Sequence, residues 1–240
     1  AGASFGAVIG VLTGYVTVGS VGALMCGAAG ALLATTITFK LASLRGSLSS
    51  FALIIVGIAV SAVFTSLVGL FTAMVTRGDA RSISFWSFGS FALITQENLI
   101  GISVTTFAGV LIALRIAPRL DRLTLGDSTA FHLGVDVQKT RWIALVALSI
   151  LAGGAVSTVG TIAFVGLAAP HIARFIYGPA HKALIGQTAA IGALVVLTSD
   201  TLARTIAIPN ELPIGLITSL LGAPVLIALV TVKNHVWKTQ

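Results

Sequence analysis

Asp200 and Arg204 stand four residues apart in an otherwise apolar stretch, a spacing that puts both on one helix face and lets them pair. Charges at membrane depth are costly and are often functional. Three kinds of chemistry fit: a structural ion pair, a charged docking point for a partner, or a proton relay. Glu211, between Pro209 and Pro213, places another carboxylate where it can face the N-terminus of the next helix, and capping is the simplest role for it. His171 and Arg174 follow Pro170 and read as packing or interfacial residues. Cys26 is the single cysteine, so there is no disulfide framework and no metal-ligand spacing. None of the five lysines follows a glycine, which excludes a phosphate-binding GxxxxGK(S/T) loop, and HExxH is missing as well. The sequence points to no catalytic residue, no metal and no cofactor. If ATP powers anything here, another chain must bind it.

The elements that carry these residues are oily. The chain has 240 residues, 56% hydrophobic and 9% charged, with mean hydropathy +1.05. A soluble domain carries about 25% charged residues, so this composition suits a chain wrapped in a lipid bilayer. The net charge of +7 does not form a nucleic-acid surface, because the basic residues lie between long apolar runs rather than on one face.

A membrane helix needs roughly 20 apolar residues to cross a hydrocarbon core of about 30 Å. Eight runs qualify: Gly2–Val18, Val21–Phe39, Phe51–Val75, Leu99–Ile116, Trp142–Val159, Ile162–Ile176, Ala183–Ile206 and Ile214–Val232. The sixth is short and holds Pro170, so a kinked or partial span is expected there. Ser82–Phe91 is too short to cross and is expected at an interface, with Phe85 and Trp86 in the headgroup region. The chain opens directly in an apolar run with no basic leader and no cleavage site, so it reads as a fragment lacking N-terminal helices.

Eight alternating spans sort the 14 basic residues into two sets, with Arg77, Arg81 and Arg204 on one side and the other eleven opposite. The positive-inside rule places the larger set, and the C-terminus, in the cytoplasm. Gly2, Gly6, Gly10 and Gly14 recur every fourth residue, as do Gly57, Ser61, Thr65 and Gly69, and Gly101, Thr105 and Gly109. Burial of apolar surface does not drive helices together in lipid, so such small-residue ridges are expected to pack helices closely, and smooth faces can also let them rock.

Residues 115–141 hold eight of the 21 charged residues and form the main polar excursion. Pro118 suits a first helical position, Gly126 a helix stop, Asp127 an N-cap for Ser128–Leu133, and Gly134 the end of that helix. Two short helices in series, presenting Leu120, Leu123, Leu125, Phe131 and Leu133, form either a docking surface or a folded-back loop with no partner.

Four stretches resemble the permease subunits of type II ABC importers, the family that carries iron–siderophores, haem and vitamin B12. They are LTLGDSTAFHLGVDVQKTR (Leu123–Arg141), GTIAFVGLAAPHIAR (Gly160–Arg174), SDTLAR (Ser199–Arg204) and ELPIGLITSLLGAPVLI (Glu211–Ile227), with FWSFGS (Phe85–Ser90) in support. The resemblance spans essentially the whole chain. It implies an all-α transmembrane bundle, here about eight helices of a ten-helix fold with the first two lacking, forming a single permease domain over 1–240. Residues 118–137 within it match the coupling helices. It implies that Leu125, Gly126, Asp127, Ala130, Leu133 and Gly134 contact an ATP-binding cassette ATPase subunit. Arg204 matches an arginine that faces an extracytoplasmic substrate-binding protein, and Ser49 and Ser50 match the cytoplasmic gate. A second permease subunit, as homodimer or paralogue, would complete the pathway. The competing reading is a secondary transporter using Asp200, Arg204 and Glu211 as an ion or proton relay.

Overall fold

No water is available inside a bilayer to satisfy peptide groups, so an apolar run that crosses alone must satisfy its own, and the helix does this. The computed structural model describes residues 1–14, 16, 20–44, 50–91, 94–206, 208 and 212–236, with backbone alone at 50, 77–79, 82 and 226–236. Among the described residues the regular structure is all helical: α1 (Gly2–Leu12), α2 (Val21–Ser43), α3 (Ser50–Met74), α4 (Arg77–Ser87), α5 (Gln96–Leu123), α6 (Asp127–His132), α7 (Val137–Val159), α8 (Val165–Tyr177), α9 (His181–Ile206) and α10 (Ile214–Val236). Each of the eight apolar runs overlaps one helix. By length and apolar composition α2, α3, α5, α7 and α9 can each cross a bilayer. The other three are α1, with 11 residues, α8, with 13 residues and Pro170 inside it, and α10, with 23 residues and Pro224 inside it.

Two compact units can be distinguished: Ala1–Ser87 with Phe91–Ala113 and Gln138–Thr161, and Phe88–Ser90 with Leu114–Val137 and Ile162–Gln240. In the first, α1 lies directly on α2. A Cβ placed on Gly6 would strike the Cys26 carbonyl and fall 3.0 Å from Gly30 Cα, and one on Gly30 would fall 2.9 Å from Gly6 Cα. The backbones themselves touch, as the first ridge requires. Across α2 and α7, a Cβ on Gly153 would come within 2.7 Å of Ala28 Cα, and one on Gly27 would strike the Ser157 hydroxyl. Buried hydroxyls on these helices bond backward along their own turn: Ser157 Oγ donates to Gly153 O (2.6 Å) and Thr158 Oγ1 to Gly154 O (2.8 Å). Thr35 and Ser149 then bond across α2 and α7 at 2.7 Å.

The second ridge behaves differently. A Cβ on Gly69 would meet nothing within 4 Å, and one on Gly57 only Thr38 Cγ2 at 3.8 Å. Gly57 and Ser61 instead line a cavity of about 420 Å³ among α1, α2, α3 and α7. The expectation of close packing along this face is therefore corrected. The spacing of small residues shows that a face is smooth, not that a helix covers it.

Helix α4 is also corrected. Ile83 and Trp86, three residues apart on one face, are buried with Ala7 and Val8, and Leu12, Val68, Phe71 and Val75 pack around them. Trp86 is a core residue rather than a headgroup anchor.

In the second unit α8, α9 and α10 pack on one another. Phe164 leads into α8 with φ 64°, a left-handed conformation that costs a non-glycine residue about 1–3 kcal/mol. Its carbonyl accepts from the N–H groups of Leu167 (3.0 Å) and Ala168 (2.8 Å). Its side chain lies where α10 has Gly222: a Cβ there would stand 2.5 Å from Phe164 Cβ. The first amides of α10 are satisfied by a separate strip of chain, Ile214 N–H donating to Gly89 O and Gly215 N–H to Phe88 O, both at 3.0 Å.

Candidate coupling segment and docking residues

The polar excursion is built from one long helix and one short one. Helix α5 continues through Pro118 to Leu123, so the expected break at the proline does not occur. Proline removes one amide donor, and the bond lost is the one that would reach Leu114 O. Leu125 N–H to Arg122 O (3.2 Å) and Gly126 N–H to Leu123 O (3.1 Å) tighten the end of the helix. Gly126 then turns with φ 98° and ψ 155°, a region essentially closed to residues with a Cβ, and serves as the N-cap of α6. Asp127 was expected at that cap. It occupies the first turn instead, where its charge opposes the positive end of the helix dipole.

Helix α6 ends in a Schellman motif. Gly134, at φ 76°, donates to Phe131 O (2.9 Å), and Val135 N–H reaches back to Ala130 O (3.0 Å). Ala130 and Val135 are both buried, which supplies the apolar contact that accompanies this motif. What remains outside is apolar: Leu125 is 60% exposed, Phe131 71% and Leu133 49%. The six expected contact residues thus lie on a short, defined segment, with Ala130 inside it and the leucines on its surface.

Helix α9 carries polar devices at both ends. Near its C-terminus Arg204 Nε donates to Asp200 Oδ2 at 3.0 Å, the i,i+4 pair the spacing predicts. Arg204 remains 46% exposed and Asp200 22%, so the pair adds no more than a few tenths of a kcal/mol. The rest of the guanidinium has no partner among the described residues.

At the other end of α9 the sequence offers no local cap, since Ala180 precedes the helix. The missing acceptor comes from 60 positions away. Asp121 Oδ1 accepts from the His181 amide (2.9 Å) and bonds His181 Nδ1 (2.6 Å). The sequence reading missed this contact. The signal available was an N-terminus without a Ser, Thr, Asp or Asn, which shows that an acceptor must come from elsewhere but not from where.

His171 Nδ1 bonds Leu167 O (2.8 Å) on its own helix, a local role. Ser50 is the first residue of α3. Ser49 and Glu211 lie outside the described residues, as does the side chain of Ser50. No cluster of three metal-ligating side chains occurs among the described residues.

Apolar helices of spanning length and a single structured polar excursion define a polytopic α-helical membrane protein. The chain belongs to the FecCD transport family, whose model matches residues 1–232. It is 38% identical over 196 residues to the hemin transport system permease protein HmuU of Yersinia pestis, covering 81% of this chain and 58% of that one. It is 39% identical over 206 residues to the iron(3+)-hydroxamate import system permease protein FhuG of Bacillus subtilis, covering 86% and 61%. The chain therefore spans less than two thirds of the length of either relative. A solved inward-facing metal-chelate type ABC transporter superposes with TM-score 0.82 at 31% identity, over 96% of this chain and 72% of that one. The matches agree with the resemblance to type II ABC importer permeases read from the motifs.

Proposed function

We propose that this chain forms the membrane-spanning permease part of an ATP-driven importer for an iron chelate, haem or a cobalamin-type substrate. The observation that carries the reading is the excursion itself. Its turns are held by two glycines at positive φ, and it exposes Leu125, Phe131 and Leu133 beyond the apolar run that ends at Ile116. Exposed apolar side chains on a structured polar segment mark a contact surface. Here the partner is an ATP-binding cassette ATPase subunit on the cytoplasmic side, which hydrolyses ATP while this chain does not.

The remaining assignments follow the same orientation. The C-terminus is cytoplasmic in the cell membrane, and the Arg204 end of α9 faces outward to receive a substrate-binding protein. Ser49 and Ser50 form the cytoplasmic gate, and a second permease subunit completes the pathway. Closure of the ATPase subunits moves the excursion, and alternating access carries the substrate through without a tight site. The names of the relatives support a haem or ferric hydroxamate cargo.

The test uses the full-length protein reconstituted in liposomes with its ATPase subunit and binding protein, and with haem, ferric siderophores and cobalamin as cargoes. Uptake of one cargo class is expected to require ATP hydrolysis and to survive collapse of the proton gradient. Uptake that follows the proton gradient without nucleotide would establish the ion-coupled alternative instead.

A further inference from the structure

Helix α9 links the two surfaces assigned above. It runs 26 residues without a proline, from His181 to Ile206. At 1.5 Å per residue that is about 39 Å. Arg204 lies near one end, and the Asp121 contact holds the other.

The contact joins two bonds on one carboxylate oxygen, with Asp121 itself 41% exposed. Four amides at the start of any helix lack intrahelical acceptors, and the dipole makes that end attractive to an anion. Ala180 cannot serve them with a side chain, so a carboxylate from α5 does. The same oxygen also holds the His181 ring, which is only 20% exposed. Two donors from one residue thus converge on a single acceptor, fixing His181 by main chain and side chain together.

The neighbouring residue extends the connection. Arg122 Nη1 donates to Leu133 O at 3.4 Å, at the C-terminal cap of α6. Adjacent residues on the last turn of α5 therefore grip different elements, Arg122 the end of α6 and Asp121 the start of α9. Arg122 and Asp121 thus form a bonded path from the end of α6 to the start of α9.

We propose that the Asp121–His181 clamp fastens α9 to the excursion, so that Asp121 and His181 are positioning residues through which arrival of the binding protein at the Arg204 end stimulates the ATPase. This rests on the reading of the excursion and of Arg204 given above. The effect is a coupling between two distant contacts, and its measure is the stimulation rather than either binding step.

The experiment uses the full-length transporter in lipid with its ATPase subunit. Basal ATP hydrolysis, affinity for the loaded binding protein, and stimulation of hydrolysis by that protein are measured separately. His181→Pro is the decisive variant, because proline is well tolerated at the first helical position yet removes both the amide donor and the ring. Basal hydrolysis and affinity are expected to stay within about twofold while stimulation falls by about fivefold or more, the low end of common couplings. His181→Ala, which keeps the amide, should lose less. Combining His181→Ala with Asp121→Ala should lose less than the sum of the two singles, as expected for partners in one contact. Full stimulation in His181→Pro overturns the proposal. So does an equal fall in basal and stimulated rates, which would mark a structural cap only. The parent reading is checked in the same assay by Gly134→Val and Arg204→Glu. If those change assembly or affinity while His181→Pro changes nothing, the clamp alone is wrong. If they too change nothing, the assignment of both surfaces fails.

Discussion

At the scale of single residues, two glycines with positive φ do different jobs, and substitution separates them. Gly134 sits in the left-handed region of a Schellman cap, which asparagine also tolerates. Gly126, at φ 98° and ψ 155°, sits where a side chain of any kind is strained. Gly134→Asn is therefore expected to keep most ATPase-subunit binding, measured by co-purification of the two subunits. Gly126→Asn should weaken it by about 1–3 kcal/mol. Equal tolerance at both sites would mean that the turn is not held as described. The glycine positions were legible in the sequence because glycine is a strong local signal. The cap residue was displaced by one, since Gly126 already brings the chain into the helix and leaves Asp127 in the first turn. For Asp121 only half the contact was legible: Ala180 leaves the start of α9 without a local cap. Nothing in local sequence says that a helix starting after Ala180 will take its acceptor from 60 residues upstream.

At the scale of elements, the eight runs became helices because a segment in lipid has almost no other way to satisfy its backbone. What the helices touch was harder to read. Pro118 marked a boundary in the sequence, but its ring is exposed rather than packed and it removes a single intrahelical bond, so α5 continues. Trp86 looked interfacial by residue type, yet its position three residues from Ile83 turns it into the core. The two glycine ridges make the same point. Gly6 and Gly30 meet backbone to backbone, whereas Gly69 faces open space. Gly6→Ala and Gly30→Ala should each cost about 1–3 kcal/mol by overpacking, read as a lowered unfolding midpoint in detergent. Their double variant should fall short of additive, because both open the same contact. Gly69→Ala should be neutral or slightly stabilising, since alanine is the better helix former. A loss at Gly69 matching that at Gly6 would show that the second ridge is covered after all.

At the scale of the whole molecule, the proposed partners at the two ends of α9 rest on the distribution of charge. Under the positive-inside assignment the outer side holds few cations: Arg77, Arg81 and Arg204. Arg204 stands out because Asp200 bonds only its Nε, so the group is half neutralised but still presented. That arrangement predicts opposite signs for two substitutions on one helix. Arg204→Glu places a negative charge where a complementary acidic partner would sit, and capture of the binding protein should weaken by about tenfold at low ionic strength. The loss should shrink as salt is raised, because exposed charges are screened beyond about 8 Å at physiological ionic strength. Asp200→Asn removes the competing carboxylate and should tighten capture under the same conditions. Neither change should move thermal stability by more than about 0.5 kcal/mol, since the pair is exposed and lies within one helix. A purely structural pair would instead give two variants that destabilise slightly and leave affinity alone. A proton relay would show the phenotype in the pH dependence of uptake, with binding-protein affinity unaltered. Affinity measured at two salt concentrations therefore distinguishes the three kinds of chemistry that the spacing of Asp200 and Arg204 left open.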